Sequence, residues 1–197
     1  MHASAPAPQT GRVIPVKFVI AGGFGVGKTT FVGSISEIEP LRTEAAMTSL
    51  AAGVDDLTHT STKTTTTVAM DFGRITVDDT LVMYLFGTPG QERFGFMWDD
   101  ICNGAIGAVV LVDTRRIDQC FPAVDYFEAK RIPFVVGVNT FDGAPRYSLE
   151  EVREALGIGG HVPIVECDAR VRASVKGALI TLLESLVAQA RAREAIA

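Results

Sequence analysis

Residues 22–29, Gly-Gly-Phe-Gly-Val-Gly-Lys-Thr, have the types and spacing of a phosphate-binding loop. The glycines allow the backbone to curl, so that successive N–H groups point toward phosphate oxygens. In this pattern Lys28 is expected to reach the β- and γ-phosphates, and the hydroxyl of Thr29 is expected to ligate Mg²⁺. The loop therefore predicts a nucleotide site, and the alternative is a glycine-rich turn that binds nothing.

The residues on either side of the loop favour the nucleotide site. Residues 16–21 form a mostly apolar, β-branched run, which is typical of a buried parallel strand. After the loop, Phe31, Val32, Ile35 and Ile38 recur at helical spacing. Strand, loop and helix thus follow in the required order, and the N-terminus of the helix adds a partial positive charge beside the phosphates.

The composition predicts one folded domain around this site. The chain has 197 residues, 47% of them hydrophobic, so we expect residues 1–12 to form a flexible tail and residues 13–197 a single domain. A net charge of −5 without a basic block argues against nucleic acid as a partner. No apolar run approaches the roughly 20 residues of a membrane span, so we expect a cytoplasmic protein without direct membrane insertion.

Strands and helices are predicted to alternate along the rest of the chain. The pattern indicates an α/β fold of the P-loop type, with a six-stranded, mostly parallel sheet, one antiparallel hairpin strand and helices on both faces. A short helical turn at 44–50 is possible, and the long segment 39–67 is expected to be functional. The predicted strands are 13–21, 68–77, 80–86, 105–113, 133–139 and 163–167, and the predicted helices are 29–38, 117–130, 148–156 and a last helix with an apolar stripe from Val175 to Val187.

Four further motifs resemble those of Ras- and Rab-like small GTPases. Positions 87–94, G-T-P-G-Q-E-R-F, resemble D-T-A-G-Q-E-R-F, and positions 67–72 resemble T-I-G-V-D-F. Asn-Thr-Phe-Asp at 139–142 is similar to N-K-x-D, and Cys-Asp-Ala-Arg at 167–170 lies where the family carries S-A-K. With the phosphate loop, these motifs bring the chain closest to the GTP-binding component of Streptomyces conservons, a cousin of the bacterial gliding-motility GTPases.

The resemblance implies a small GTP-binding protein that switches between GDP and GTP forms and hydrolyses GTP slowly. It implies GTP or GDP and Mg²⁺ as ligands. It also implies signalling in a conservon-type complex with a roadblock/LC7-type protein and a sensor-kinase-like membrane protein. Such a partner would be the route by which the chain is recruited to a membrane.

The family's functional residues can be placed on this chain motif by motif. Thr29 and Thr67 would ligate Mg²⁺, with Thr67 reaching the ion only when a γ-phosphate is present. Lys28, Gly90 and Gln91 would act in hydrolysis, with Gln91 orienting the attacking water. The remaining nucleotide-binding positions implied by the resemblance are Gly22, Phe24, Gly25, Val26, Gly27 and Thr30 for the phosphates, and Asn139, Asp142, Ala169 and Arg170 for the guanine base.

Several positions depart from the family pattern. Gly87 stands where the family has an aspartate that orients a Mg²⁺-bound water, and Asp71 and Asp113 on neighbouring strands are equally candidate replacements or structural residues. Phe24 either crowds the γ-phosphate or turns outward. Thr66 stands where the gliding-motility relatives carry an arginine finger, so slow hydrolysis is expected.

Two other functions remain open from the sequence. A nucleotide-binding scaffold without useful hydrolysis is compatible with Phe24 and Gly87. A P-loop phosphotransferase would need an arginine-rich lid, for which the chain offers the adjacent pair Arg115 and Arg116, and it would leave residues 139–142 without a role.

Overall fold

The first strand, β1 (Ile14–Ala21), runs through the middle of a seven-stranded sheet in the order β2-β3-β4-β1-β5-β6-β7. In this computed structural model the described residues are 13–39, 41–47, 66–90 and 92–195. All neighbouring strands from β4 to β7 are parallel, whereas β3 is antiparallel to both β2 and β4, which confirms the predicted fold class. The other strands are β2 (Leu41–Met47), β3 (Thr66–Thr76), β4 (Leu81–Gly87), β5 (Gly107–Val112), β6 (Phe134–Asn139) and β7 (Ile164–Cys167).

The sheet has one strand more than the sequence predicted, because residues 41–47 form β2. The suggested helical turn at 44–50 is wrong for residues 44–47, and residues 48–50 lie outside the described part of the chain. Pairing of β3 with β4 begins only at Phe72, so the preceding half of β3 extends past the end of β4. Its free backbone groups pair with β2, and that pairing overrides the local helical tendency.

The helices cover both faces of the sheet. Alternation along β1 sends Phe18 and Ile20 to one face and Val19 and Ala21 to the other. The first face packs against α1 (Lys28–Ile35) and α5 (Arg172–Glu194), and the second against α2 (Trp98–Cys102), α3 (Phe121–Lys130) and α4 (Leu149–Leu156). This sandwich fixes the direction in which the loops leave the carboxyl ends of the strands.

Two helix boundaries follow from single residues. The helix predicted at 117–130 divides into a 3₁₀ helix (Thr114–Cys120) and α3, with Pro122 in the first turn of α3, where its missing N–H costs nothing. The capping box at Ser148 is confirmed. Glu151 donates its N–H to the Ser148 hydroxyl at 3.3 Å, and its carboxylate accepts the Ser148 N–H at 2.8 Å.

The apolar stripe of α5 is buried only along its first half. Val175, Ala178, Leu179 and Leu182 are buried against the sheet, whereas Val187 is 48% exposed. Within the described residues, α5 is long and apolar enough to cross a membrane by length and composition, a test that core helices also pass. Its buried stripe belongs to the core of the domain.

We expect Leu182→Ala to lower the free energy of unfolding by about 2–5 kcal/mol, because it opens a cavity at a fully buried position. Val187→Ala is the matched control on the same helix and should cost far less, since Val187 is half exposed. Urea unfolding followed by circular dichroism measures both, and equal losses would contradict this assignment of the core.

Candidate functional site

The loop after β1 needs glycine at three positions. The backbone angle φ is +131° at Gly22, +72° at Gly25 and +104° at Gly27, a region that residues with a side chain rarely adopt. A Cβ atom at Gly22 would lie 2.4 Å from the carbonyl oxygen of Leu111 in β5. A Cβ atom at Gly27 would lie 2.7 Å from the Nδ2 atom of Asn139. The loop is therefore held tightly against both β5 and the residue that ends β6.

Lys28 lies folded back over this loop. Its ammonium group donates to the carbonyl oxygens of Gly22 at 2.9 Å and Gly23 at 2.7 Å, and the residue is 8% exposed. Burial lowers the pKa of Lys28 to about 8, although the nearby Asp71 carboxylate acts in the opposite direction. A Cβ atom at Gly90 would lie 2.7 Å from the Lys28 Nζ atom, so the structure brings these two predicted residues together. Gln91 lies outside the described residues.

The hydroxyl of Thr29 donates to the Oδ2 atom of Asp71 at 2.7 Å. Asp71 comes from β3 and is 9% exposed. It faces Gly87 at the end of β4, where an added Cβ atom would lie 3.0 Å from the Asp71 Oδ2 atom. Asp113 serves a structural purpose instead, because it caps the 3₁₀ helix and pairs with Arg115 at 2.8 Å. Of the two candidate aspartates, Asp71 is the one beside the phosphate loop.

Phe24 points into solvent, with 61% of the residue exposed. In this structure it therefore neither packs onto the protein nor shields the loop. The loop instead receives a contact that the sequence analysis missed: Arg116 donates to the carbonyl oxygen of Phe24 at 3.3 Å. Arg115 is drawn away, since it pairs with Asp113 and lies over the Phe141 ring at 4.0 Å from its centroid. The arginine pair thus splits between two tasks, which adjacency in sequence does not reveal.

Asn139 joins the phosphate loop to the opposite end of the site. Its Nδ2 atom donates to the carbonyl oxygen of Val26 at 2.8 Å, and its Oδ1 atom accepts the backbone N–H of Ala169 at 3.0 Å. Asn139 thus ties the phosphate loop to the segment that follows β7. The Ala169 N–H, which lies at a position predicted to contact the base, is already bonded to the Asn139 amide oxygen. The Val26 side chain is only 2% exposed and belongs to the core.

Asp142 and Arg170 form a two-point ion pair. The two terminal nitrogens of Arg170 lie 2.9 and 3.3 Å from the two carboxylate oxygens of Asp142, and the guanidinium also pairs with Asp168 at 2.8 Å. The Arg170 hydrogen bonds hold the pKa of Asp142 below its usual range. Arg170 was predicted to contact the guanine base, and here it occupies the carboxylate that was predicted to contact the same base.

Thr67 lies at a distance from this cluster. It belongs to β3 and pairs in register with Ala46 of β2. It precedes Asp71 by four residues, which is about 13 Å along an extended strand. The backbone therefore places Thr67 away from Thr29 in this conformation. Thr30, the other predicted threonine, follows Thr29 in α1 and is exposed.

The phosphate end has the chemistry that a Mg²⁺–nucleotide complex requires. The Thr29 hydroxyl and Asp71 carboxylate are hard oxygen donors of the kind Mg²⁺ prefers, and the Lys28 ammonium lies next to them. The N-terminus of α1 at Lys28 faces the same space. The residues present thus fit the metal as well as the phosphates.

Comparison with known proteins identifies a matching family and several relatives. A family model described as "Conserved hypothetical ATP binding protein" matches residues 20–189. The uncharacterized protein MJ1339 of Methanocaldococcus jannaschii is 30% identical over 129 residues, which are 64% of this chain and 71% of that protein. Translation initiation factor IF-2 of Roseiflexus sp. is 30% identical over 109 residues, but the match covers 49% of this chain and only 14% of the factor.

Solved structures show a similar fold. The cytosolic domain of the T. maritima FeoB iron transporter, in a GDP form, has a TM-score of 0.63 at 16% identity, covering 89% of this chain and 65% of that one. The FeoB G-domain from Methanococcus jannaschii has a TM-score of 0.56 at 12% identity, covering 87% and 97%. At such identities the likeness concerns the fold alone.

Gly22→Ala is expected to destabilise the domain by more than the roughly 1–3 kcal/mol of backbone strain at an unfavourable φ, because the new Cβ atom also collides with Leu111. Gly157→Ala is the control: Gly157 has φ +64° with nothing within 4 Å, so it reports the strain alone. Urea unfolding measures both. Similar losses would show that the Leu111 contact carries no cost.

Proposed function

The chain belongs to the family of conserved hypothetical ATP binding proteins, and we propose that it is a P-loop nucleotide-binding protein whose ligand is nevertheless a guanine nucleotide. It acts in the cytoplasm as a switch between GDP and GTP forms and hydrolyses GTP slowly. The observation that carries the proposal is the Asn139 amide, which joins the phosphate loop at Val26 to the Ala169 backbone. This bridge supports a base site at the end of β6, in line with a phosphate site at the end of β1.

Guanine is favoured by the chemistry of Asp142. A carboxylate accepts two parallel N–H bonds, which guanine offers from N1 and its exocyclic amine, whereas adenine presents an acceptor at N1. In this structure the Arg170 guanidinium already makes two such bonds to Asp142, at 2.9 and 3.3 Å. Because 89% of the Asp142 side chain is exposed, a base could reach both carboxylate oxygens once Arg170 moves aside.

The phosphates would be held by Lys28, by the backbone N–H groups of residues 22–29 and by Mg²⁺ ligated to Thr29. Bound Mg²⁺ would neutralise charge on the phosphate oxygens. Lys28 has to exchange its two carbonyl partners, Gly22 and Gly23, for phosphate oxygens, and its burial strengthens that interaction. In the GTP form Thr67 would become a further ligand, which requires the start of β3 to leave its present position beside β2.

Hydrolysis would depend on Gln91 and the Gly90 N–H, aided by a partner. Gly90 lies against Lys28, so the loop that follows β4 already borders the phosphate site at this residue. Arg116 contacts the phosphate loop, but it donates its hydrogen bond to the backbone carbonyl oxygen of Phe24. We therefore expect slow turnover alone and faster turnover in a conservon-type complex, with a roadblock/LC7-type protein and a sensor-kinase-like membrane protein as partners.

ATP is the second candidate ligand, because the matching family is described as ATP binding. A scaffold without useful hydrolysis also remains a candidate, since Gly87 carries no carboxylate. A phosphotransferase is less well supported: Arg115 is engaged by Asp113 and Phe141, so the adjacent pair Arg115 and Arg116 does not form a lid.

We expect GTP and GDP to displace fluorescent GDP from the purified protein at least 100-fold more effectively than ATP. Asp142→Asn should reverse the preference between guanine and xanthine, because an amide donor now faces the exocyclic group. Competition binding with GTP, ATP and xanthosine triphosphate measures this. Asp168→Asn is the matched control, since Asp168 holds Arg170 from the other side. Equal displacement by ATP and GTP would reject guanine specificity and favour the ATP alternative.

Arg170→Gln should raise the affinity for GDP about two- to five-fold, because it frees Asp142 from an exposed ion pair that solvent screening keeps weak. Arg146→Gln removes the same charge from the neighbouring loop and corrects for the weaker attraction of an anionic ligand. The difference between the two variants should shrink as salt increases. A lower affinity in Arg170→Gln than in Arg146→Gln would instead assign Arg170 to the bound base.

A further inference from the structure

We propose that Asp71, on β3, positions the Mg²⁺ ion of the bound nucleotide. It would replace the aspartate that related proteins carry at the end of β4, where this chain has Gly87. The inference rests on the proposed nucleotide function. It assigns a specific task to a residue outside the usual position.

The register of the hairpin places the carboxylate there. Phe72 pairs with Phe86 in the antiparallel ladder, so the preceding residue on β3 lies across from the following residue on β4. An added Cβ atom at Gly87 would lie 3.0 Å from both the Cβ and Oδ2 atoms of Asp71. The space beside the phosphate loop therefore holds one carboxylate, and glycine at 87 leaves that space to Asp71.

The hydrogen bond from Thr29 links the Asp71 carboxylate to the proposed Mg²⁺ ligand. The Thr29 hydroxyl donates its hydrogen to Asp71 at 2.7 Å, which turns the oxygen lone pairs away from Asp71 and leaves them available to a cation. A carboxylate bonded to a ligating group also increases the basicity of that ligand. Asp71 is thus a positioning residue that acts on Mg²⁺ through Thr29.

The burial of Asp71 strengthens this effect. At 9% exposure its charge is poorly screened, so it interacts strongly with a nearby cation. The neighbouring Lys28 already experiences this charge, which opposes the effect of burial on the Lys28 pKa. Asp113 offers the contrast: it is 4% exposed but bound to Arg115 and Arg116 at 2.8 and 3.5 Å, so its charge is already matched.

The test measures the Mg²⁺ dependence of GDP release. The protein is loaded with fluorescent GDP, and dissociation is followed over a titration from excess EDTA to millimolar Mg²⁺. Asp71→Asn keeps the size of the side chain but removes the charge. We expect it to weaken the apparent Mg²⁺ affinity about 10–100-fold while release in EDTA stays close to that of the unaltered protein. Asp113→Asn is the control and should leave the Mg²⁺ titration unchanged.

A second variant moves the carboxylate to the other strand. Asp71→Ala combined with Gly87→Asp removes the collision and returns an acidic group to the same space from β4. It should recover Mg²⁺-dependent retention of GDP to within about tenfold of the unaltered protein. This variant also decides the matter if Asp71→Asn does not fold.

The outcomes separate this inference from the proposed function. An unaltered Mg²⁺ titration in Asp71→Asn overturns the inference, as does a folded double variant without Mg²⁺-dependent retention. Nucleotide binding by the unaltered protein that ignores Mg²⁺ also overturns it and leaves the nucleotide function standing. Failure of the unaltered protein to bind any nucleotide rejects both.

Discussion

The close approach of the Gly22 backbone to Leu111 is the constraint on which the rest of the site depends. Residues 18–21 of β1 are fully buried, so the strand cannot move to relieve a collision at its end. The loop must therefore leave the sheet in the narrow space beside β5, which only glycine permits. Everything after it, including Lys28 and Thr29 at the start of α1, inherits its position from that exit.

The sequence predicted those parts of the structure that are encoded locally. Glycine spacing, the buried pattern of β1 and the Ser148 capping box each depend on a few neighbouring residues, and the strand and helix assignments based on them are largely confirmed. Strand β2 was missed because it forms only when the projecting half of β3 supplies a partner. The position of Asp71 beside Gly87 could not be predicted, because it depends on the antiparallel register of β3 and β4, and no local sequence pattern encodes that register.

At the site, the sequence predicted which residues take part but did not predict which residues they bind. Lys28 and Thr29 lie at the start of α1, and Asn139 is hydrogen-bonded to the loop that precedes this helix. Their partners could not be inferred in the same way. Arg116 reaches Phe24, and Arg170 reaches Asp142, through loops whose paths depend on the packing of the 3₁₀ helix and α5. Motifs thus identify the side chains of the site, and the tertiary structure determines which of them are already bonded to another residue.

The Asn139 side chain connects the two ends of the site, because it is hydrogen-bonded to both of them. One planar amide fixes the Val26 carbonyl with its nitrogen and the Ala169 N–H with its oxygen, so its two bonds cannot be optimised separately. A ligand that claims the Ala169 N–H changes the strength with which the same side chain holds the phosphate loop. If the proposed nucleotide binds here, thermodynamic reciprocity requires that tightening of the phosphate loop change the affinity for the base by an equal factor. In the proposed nucleotide site, this one side chain would therefore couple recognition of the base to recognition of the phosphates.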